Sequence, residues 1–234
     1  MTALFRFVEV RCDRSDHPYS FTLVAGEACL LQLADKAEKD AMIELAVGAM
    51  PCAEGRIEIA QGDRRHSKAG GAVAGKFAER RRHNEPVPTI WQPLQESRAG
   101  RVGWVAANGG LISNLKVWEN VTLPLWYHAQ RDPSETERSV MHWLGVLGLQ
   151  PDEFAAFMAA PPYSLDSRQR KLAGLVRALV QMPRVLVVDA VLFEDIKAPV
   201  AQGWMAALEA YAAQGRAVLV MADKAMTLPW RKIE

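Results

Sequence analysis

The sequence predicts an α/β fold organised around a parallel sheet, and three observations carry that prediction. Compact apolar runs of strand length recur at residues 28–33, 102–105, 185–188 and 217–222; unbroken apolar runs are what strands buried on both faces require. Between them lie segments whose apolar residues fall at helical spacing, and strand–helix–strand alternation is the pattern of a sheet whose strands run the same way. The chain has 234 residues, 50% of them hydrophobic, which is enough to bury one substantial core.

Taken in order, the N-terminal stretch alternates charged and apolar residues from Arg6 to Asp16, leaving no apolar core for a signal peptide. No later stretch approaches the length of a membrane span. Gly26 marks a turn before the strand at 28–33. A helix is expected to start near Asp40, capped by that carboxylate, because Met42, Leu45, Ala46 and Ala49 fall at i, i+3, i+4 and i+7. Residues 60–100 turn polar, with Gly70, Gly71, Gly75 and three prolines, so a long connection with little regular structure is expected there. A strand at 102–105 follows, the apolar stretch continues toward Trp118 and Trp126, and a helix begins near Pro133. Beyond Pro161 and Pro162, Leu172, Leu175, Val176 and Leu179 keep helical spacing until Pro183 stops the helix. The run 185–188 is a buried strand, a helix carrying Trp204, Leu208 and Tyr211 ends at Gly215, and the last strand is 217–222. No internal repeat is present.

Lys and Arg number 28 against 27 Asp and Glu, so the chain lacks the clustered positive surplus with which proteins neutralise phosphates, and nucleic acid is not an expected partner. The run Glu79-Arg80-Arg81-Arg82-His83 reads as a solvated face. Cys12, Cys29 and Cys52 fit neither a disulfide framework nor a zinc site and read as reduced thiols. The histidines His17, His66, His83, His128 and His142 are scattered. No nucleophile, base and orienting partner stand at a readable spacing, which argues against an unrelated α/β enzyme.

Three collinear segments carry a resemblance. GEACLLQLADKAEKDAMIELAVGAMPCAEGRIEI, from Gly26 to Ile59, is similar to the strand, phosphate loop and helix of the ABC transporter ATPases. VGWVAANGGLISNLKVWENVTLPLWYH, from Val102 to His128, resembles the glutamine-loop region of lipid-type and lipoprotein-release-type exporters. LDSRQRKLAGLVRAL and VLVVDA, within Leu165 to Ala190, resemble the signature helix and the Walker B strand. The resemblance implies a P-loop NTPase-like parallel sheet core with an inserted α-helical signature subdomain. It makes the chain a single nucleotide-binding domain over 1–234, with a first core part at 1–107, a helical subdomain at 108–172 and a second core part at 173–234.

The resemblance also assigns positions, and most are occupied by residues unable to do the family's work. A phosphate loop needs glycines so that successive N–H groups can turn to the phosphates at a helix start. Leu33, Lys36 and Glu38 stand where those glycines would be, Lys39 matches the loop lysine, and Asp40 replaces the magnesium-binding serine. Asp189 matches the Walker B aspartate, but Ala190 replaces the glutamate that would polarise water and Asp223 replaces the histidine after the last strand. Ala107 stands at the glutamine that senses magnesium. In the signature, Asp166, Ser167 and Arg168 replace the serine and two glycines, and only Gln169 is kept in type.

Lys39, Asp40, Asp189 and Gln169 are therefore the candidate nucleotide contacts, with no catalytic residue and no dedicated metal ligand. Lys39 as a surface lysine and Asp189 as a cap at the sheet edge stay open. Glu38, Asp40, Asp166 and Asp223 would place four acids where the triphosphate lies, and like charges at short range repel. ATP and magnesium, the cofactors that the resemblance implies, are expected to bind weakly or not at all. The expected role is that of a non-hydrolysing subunit at the cytoplasmic face of the inner membrane, held there by an integral-membrane permease. It would pair with itself or with a competent ABC ATPase. Leu111, Ile112, Leu115, Val117 and Trp118 mark the expected docking groove for the permease. The alternative is a working ATPase that energises lipid or lipoprotein transport.

Overall fold

The computed structural model describes residues 2–61, 89–97, 101–128 and 132–233. Leu4, Phe5, Phe7 and Val10 are buried while Glu9 and Arg11 face solvent, and this near-alternation makes β1 (Ala3–Arg11) a strand with one wet face. It is followed by β2 (Tyr19–Val24), β3 (Glu27–Gln32), α1 (Lys36–Ala46), β4 (Glu54–Ala60), β5 (Trp91–Pro93) and β6 (Val102–Val105). Four helices come next: α2 (Val117–His128), α3 (Pro133–Val146), α4 (Phe154–Ala159) and α5 (Ser167–Val180). The chain ends with β7 (Val185–Asp189), α6 (Ala198–Ala213), β8 (Ala217–Ala222) and β9 (Arg231–Ile233).

The strands form two sheets. One is antiparallel in the order β2-β1-β4-β5, and the other is parallel in the order β6-β7-β8-β3-β9. Alternate side chains of the parallel strands serve two separate cores, as a period of two demands. Cys29, Leu31, Val185, Val187, Leu219 and Met221 meet α1 and the antiparallel sheet. Leu30, Leu186, Val188, Val218 and Val220 meet the helical side with Trp204, Tyr211 and α5. The parallel sheet is thus covered on both faces, which is why its strands read as continuous apolar runs.

Three expectations need correction. Helix α1 begins at Lys36, and its cap is Asp35, whose carboxylate accepts the Glu38 amide at 2.9 Å; Asp40 lies inside the helix and is exposed. The stripe is displaced at both ends, because the buried residues of the first turn, Glu38 and Lys39, are polar, and Ala49 lies exposed beyond the helix end at Ala46. The polar stretch 60–100 holds a strand after all, since β5 pairs with β4 through Ile59↔Gln92 and Ala60↔Trp91. The basic run at 79–83 and Gly70, Gly71 and Gly75 lie outside the described residues. Finally, 217–222 is not the last strand, because β9 follows and pairs with β3.

Candidate functional site

Because β7, β8 and β3 are neighbours, their carboxyl ends bring together three residues that are far apart in sequence. Ligands of open α/β sheets sit outside these carboxyl ends. Lys39 rises from the first turns of α1, after β3; Asp189 closes β7; Asp223 follows β8. The Lys39 ammonium donates to Asp189 Oδ1 at 3.0 Å and to Asp223 Oδ1 at 3.1 Å, and its side chain is 1% exposed. Burial alone would pull the Lys39 pKa down, but hydrogen bonds and charge from both carboxylates outweigh it and hold the pKa above the ordinary lysine value. Burial likewise acts to raise the Asp223 pKa, and the hydrogen bond and charge of Lys39 outweigh it, leaving the carboxyl below its usual range. Asp189 Oδ1 also accepts the Val191 amide at 3.0 Å, capping the short 3-10 turn Ala190–Phe193. One ammonium against two carboxylates leaves the cluster with an excess of negative charge.

The loop before α1 is also internally satisfied. Glu38 is 2% exposed; its carboxylate accepts the Ala34 amide at 2.7 Å and the Tyr19 hydroxyl at 3.0 Å. Leu33, expected at the first loop-glycine position, is core at 3% exposure, and its amide donates to Ala222 O. Asp40 points instead into a neighbouring open cleft of about 340 Å³, between the end of β1 and α1, lined by Arg11, Arg14, Glu44 and Met50; Lys39 and Asp189 do not line it.

Within the chain, the four acids expected around a triphosphate are not assembled. Only Asp223 meets Lys39. Glu38 is turned inward, Asp40 flanks the cleft, and Asp166 is the N-cap of α5. Gln169 completes a capping box with Asp166, accepting its amide at 3.0 Å and donating its own at 2.7 Å. Ala190 is buried at the start of the 3-10 turn. Glu194, the nearest acid downstream, is paired with Lys224 at 2.9 Å. Among the described residues, no group of three or more His, Cys, Asp or Glu could hold a metal ion.

Of the expected docking residues, Ile112 is 44% exposed, whereas Val117 is fully buried in the helical core and cannot belong to a surface. Leu111 and Trp118 pack their sides against that core, and Leu115 is half-buried. The loop's shape depends on a residue that sequence reasoning did not single out. Asn120, 1% exposed, accepts the Ile112 amide at 2.7 Å and donates to the carbonyls of Ile112, Leu115 and Lys116. Arg177 of α5 donates to Gly109 O at 2.9 Å and to Gly110 O at 2.7 Å. A Cβ on Gly174 of α5 would lie 2.4 Å from the Cα of Gly109, so the glutamine-loop segment sits directly on the helix.

Solved structures share this fold over almost the whole chain. An ATP-binding subunit of an ABC transporter superposes with a TM-score of 0.69, covering 94% of this chain and 79% of the other at 15% identity. This is the ABC ATPase fold. A dimeric ATP-binding cassette in a post-hydrolysis state with ADP and phosphate gives a TM-score of 0.66, covering 94% and 88% at 14% identity. The cbiO1 protein of Clostridium perfringens, part of an ABC transporter complex, gives 0.64, covering 96% and 80% at 16% identity.

The sequence relatives point the same way and support the resemblance to ABC transporter ATP-binding proteins. A probable ribonucleotide transport ATP-binding protein of Mycobacterium bovis is 32% identical over 87 residues, 37% of this chain and 23% of the relative. The methionine import ATP-binding protein MetN 1 of Acinetobacter baylyi is 33% identical over 91 residues, 38% and 23% of the two chains. The taurine import ATP-binding protein TauB of Pelagibacter ubique is 32% identical over 87 residues, 37% and 31%. The matches thus span about a quarter to a third of these relatives. No sequence-family profile matches the chain.

Proposed function

We propose that this ABC-type domain is a pseudo-ATPase, a transporter subunit whose phosphate site is closed by its own side chains and whose work is docking. The observation that carries the reading is the double ion pair of Lys39 with Asp189 and Asp223. A loop lysine that serves a nucleotide must present its ammonium to phosphate oxygens; here two carboxylates already take it, and a third carboxylate, from Glu38, takes the Ala34 amide. A triphosphate and magnesium do not fit this set. Asp189 has its Oδ1 engaged by Lys39 and the Val191 amide, and at position 190 an alanine has no group with which to polarise water.

The surroundings support docking as the remaining role. The domain is read as one unit over 1–234, with residues 108–172 as its helical insertion and the loop around Ile112 as the contact to a membrane-embedded permease. Attachment at the cytoplasmic face of the membrane follows from that contact, and no helix among the described residues is long and apolar enough to cross a membrane. A pairing with a competent ABC ATPase would supply a working loop at one of the two composite sites, whereas a homodimer would have none. The exporter-like cargo, lipid or lipoprotein, rests on the segment 102–128 alone.

A hydrolysing subunit is the second reading, favoured by relatives whose names describe ATP-binding proteins of importers. Calorimetric titration with Mg-ATP separates the two. The wild-type chain is expected to show no binding into the millimolar range, and a Lys36→Gly, Glu38→Gly, Asp40→Ser variant is expected to gain it. Micromolar binding by the wild type would reject the pseudo-ATPase.

A further inference from the structure

We propose that Tyr19 and Glu38 form an internal latch that shuts the loop before α1 against phosphate-like anions. The inference rests on the pseudo-ATPase reading and names the device that keeps the loop closed. The Glu38 carboxylate is buried, and among the described residues no Lys, Arg or His forms an ion pair with it. A buried charge without a counter-ion must be held by donors. Two are present, the Ala34 amide at 2.7 Å and the Tyr19 hydroxyl at 3.0 Å.

The two donors come from different layers. Ala34 belongs to the loop that follows β3, and Tyr19 opens β2 of the antiparallel sheet. Tyr19 is 4% exposed; burial and then the neighbouring Glu38 carboxylate push its phenol above the ordinary range, so it stays protonated and donating at any physiological pH. Asp35 takes a free amide of the first turn of α1 by accepting the Glu38 amide. The chain's own carboxylates therefore already engage the Ala34 loop amide and this helix amide. An incoming anion would have to displace a charge-assisted hydrogen bond while facing the charge of Glu38 at short range.

The latch predicts a gain of function from neutralising one residue. Glu38→Gln keeps an oxygen for the Ala34 amide and nearly the same volume, so it tests charge without opening a hole. Glu38→Gly removes the group altogether, and melting by circular dichroism checks that each variant folds. Tripolyphosphate is titrated into the full chain while the Ala34 amide resonance is followed by 15N NMR. The wild-type Ala34 amide is expected to stay in place, whereas both variants bind at least tenfold more tightly and shift that resonance. Variants that bind no better than the wild type overturn the latch and leave the Lys39 ion pairs as the barrier. In a parallel titration, wild-type binding of Mg-ATP with the Ala34 amide unmoved overturns the pseudo-ATPase and upholds the latch. Wild-type binding that moves this amide overturns both.

Discussion

At the scale of single residues, Lys39 has the surroundings of a structural cation. Its ammonium is held at 3.0 and 3.1 Å by two carboxylates whose side chains are only 9% and 13% exposed. Removing one member of a buried ion pair leaves the remaining charges short of a counter-ion, a loss of about 3–5 kcal/mol. Lys39→Ala is accordingly expected to lower the unfolding free energy by that amount in a urea titration. Lys36→Ala, on the exposed flank of the same helix, is expected to change it by less than about 0.5 kcal/mol. A Lys39→Ala variant as stable as the wild type would mean that the ion pairs contribute nothing. Each of the three residues is legible in the sequence as the counterpart of a family position. Their mutual pairing is not, because it depends on β7, β8 and β3 being adjacent in the sheet, which no local pattern encodes.

At the scale of elements, the glutamine-loop segment and α5 behave as one piece. Gly174 lets the backbone of Gly109 touch the helix, Arg177 clamps the carbonyls of Gly109 and Gly110, and Asn120 ties the following turn to α2. A methyl group added at Gly174 would meet backbone and not a flexible side-chain tip, so Gly174→Ala is expected to cost about 1–3 kcal/mol as an overpacking change. On α6, a Cβ at Gly203 meets nothing within 4 Å, and Gly203→Ala is expected to stabilise by about 0.5–1 kcal/mol through helix propensity. Denaturant midpoints of the two variants should move in opposite directions; movement in the same direction would contradict the contact.

The same elements show where sequence patterns suffice. The runs at 185–188 and 217–222 predict β7 and β8 closely, because a strand buried on both faces has no choice but to be apolar throughout. The start of α1 escapes the apolar stripe, since the buried residues of its first turn, Glu38 and Lys39, are polar; the readable signal is the pair Asp35 and Glu38, spaced as a cap and its partner. The antiparallel sheet escapes because β1 alternates imperfectly and β5 has three residues inside a polar stretch. Val117 reads as one more apolar residue of a docking loop, and only its place at the first turn of α2, facing the helical core, separates it from Ile112.

At the scale of the whole molecule, two cores hold the parallel sheet from both sides, one shared with the antiparallel sheet and α1, the other with the helices. The fold of the ABC ATPases is thus present, and in the proposed reading the positions that would face phosphate are filled by internal ion pairs and hydrogen bonds. A ligand that binds only the folded state stabilises it by RT ln(1 + L/Kd), where L is the free ligand concentration, so global unfolding reports nucleotide binding without any assumption about hydrolysis. The most direct test is therefore urea unfolding of the wild-type chain with and without saturating Mg-ATP. The two curves are expected to coincide. A displacement of about 2.7 kcal/mol, as a ligand present at a hundred times its dissociation constant would produce, would show that the site still takes nucleotide and would contradict the central claim.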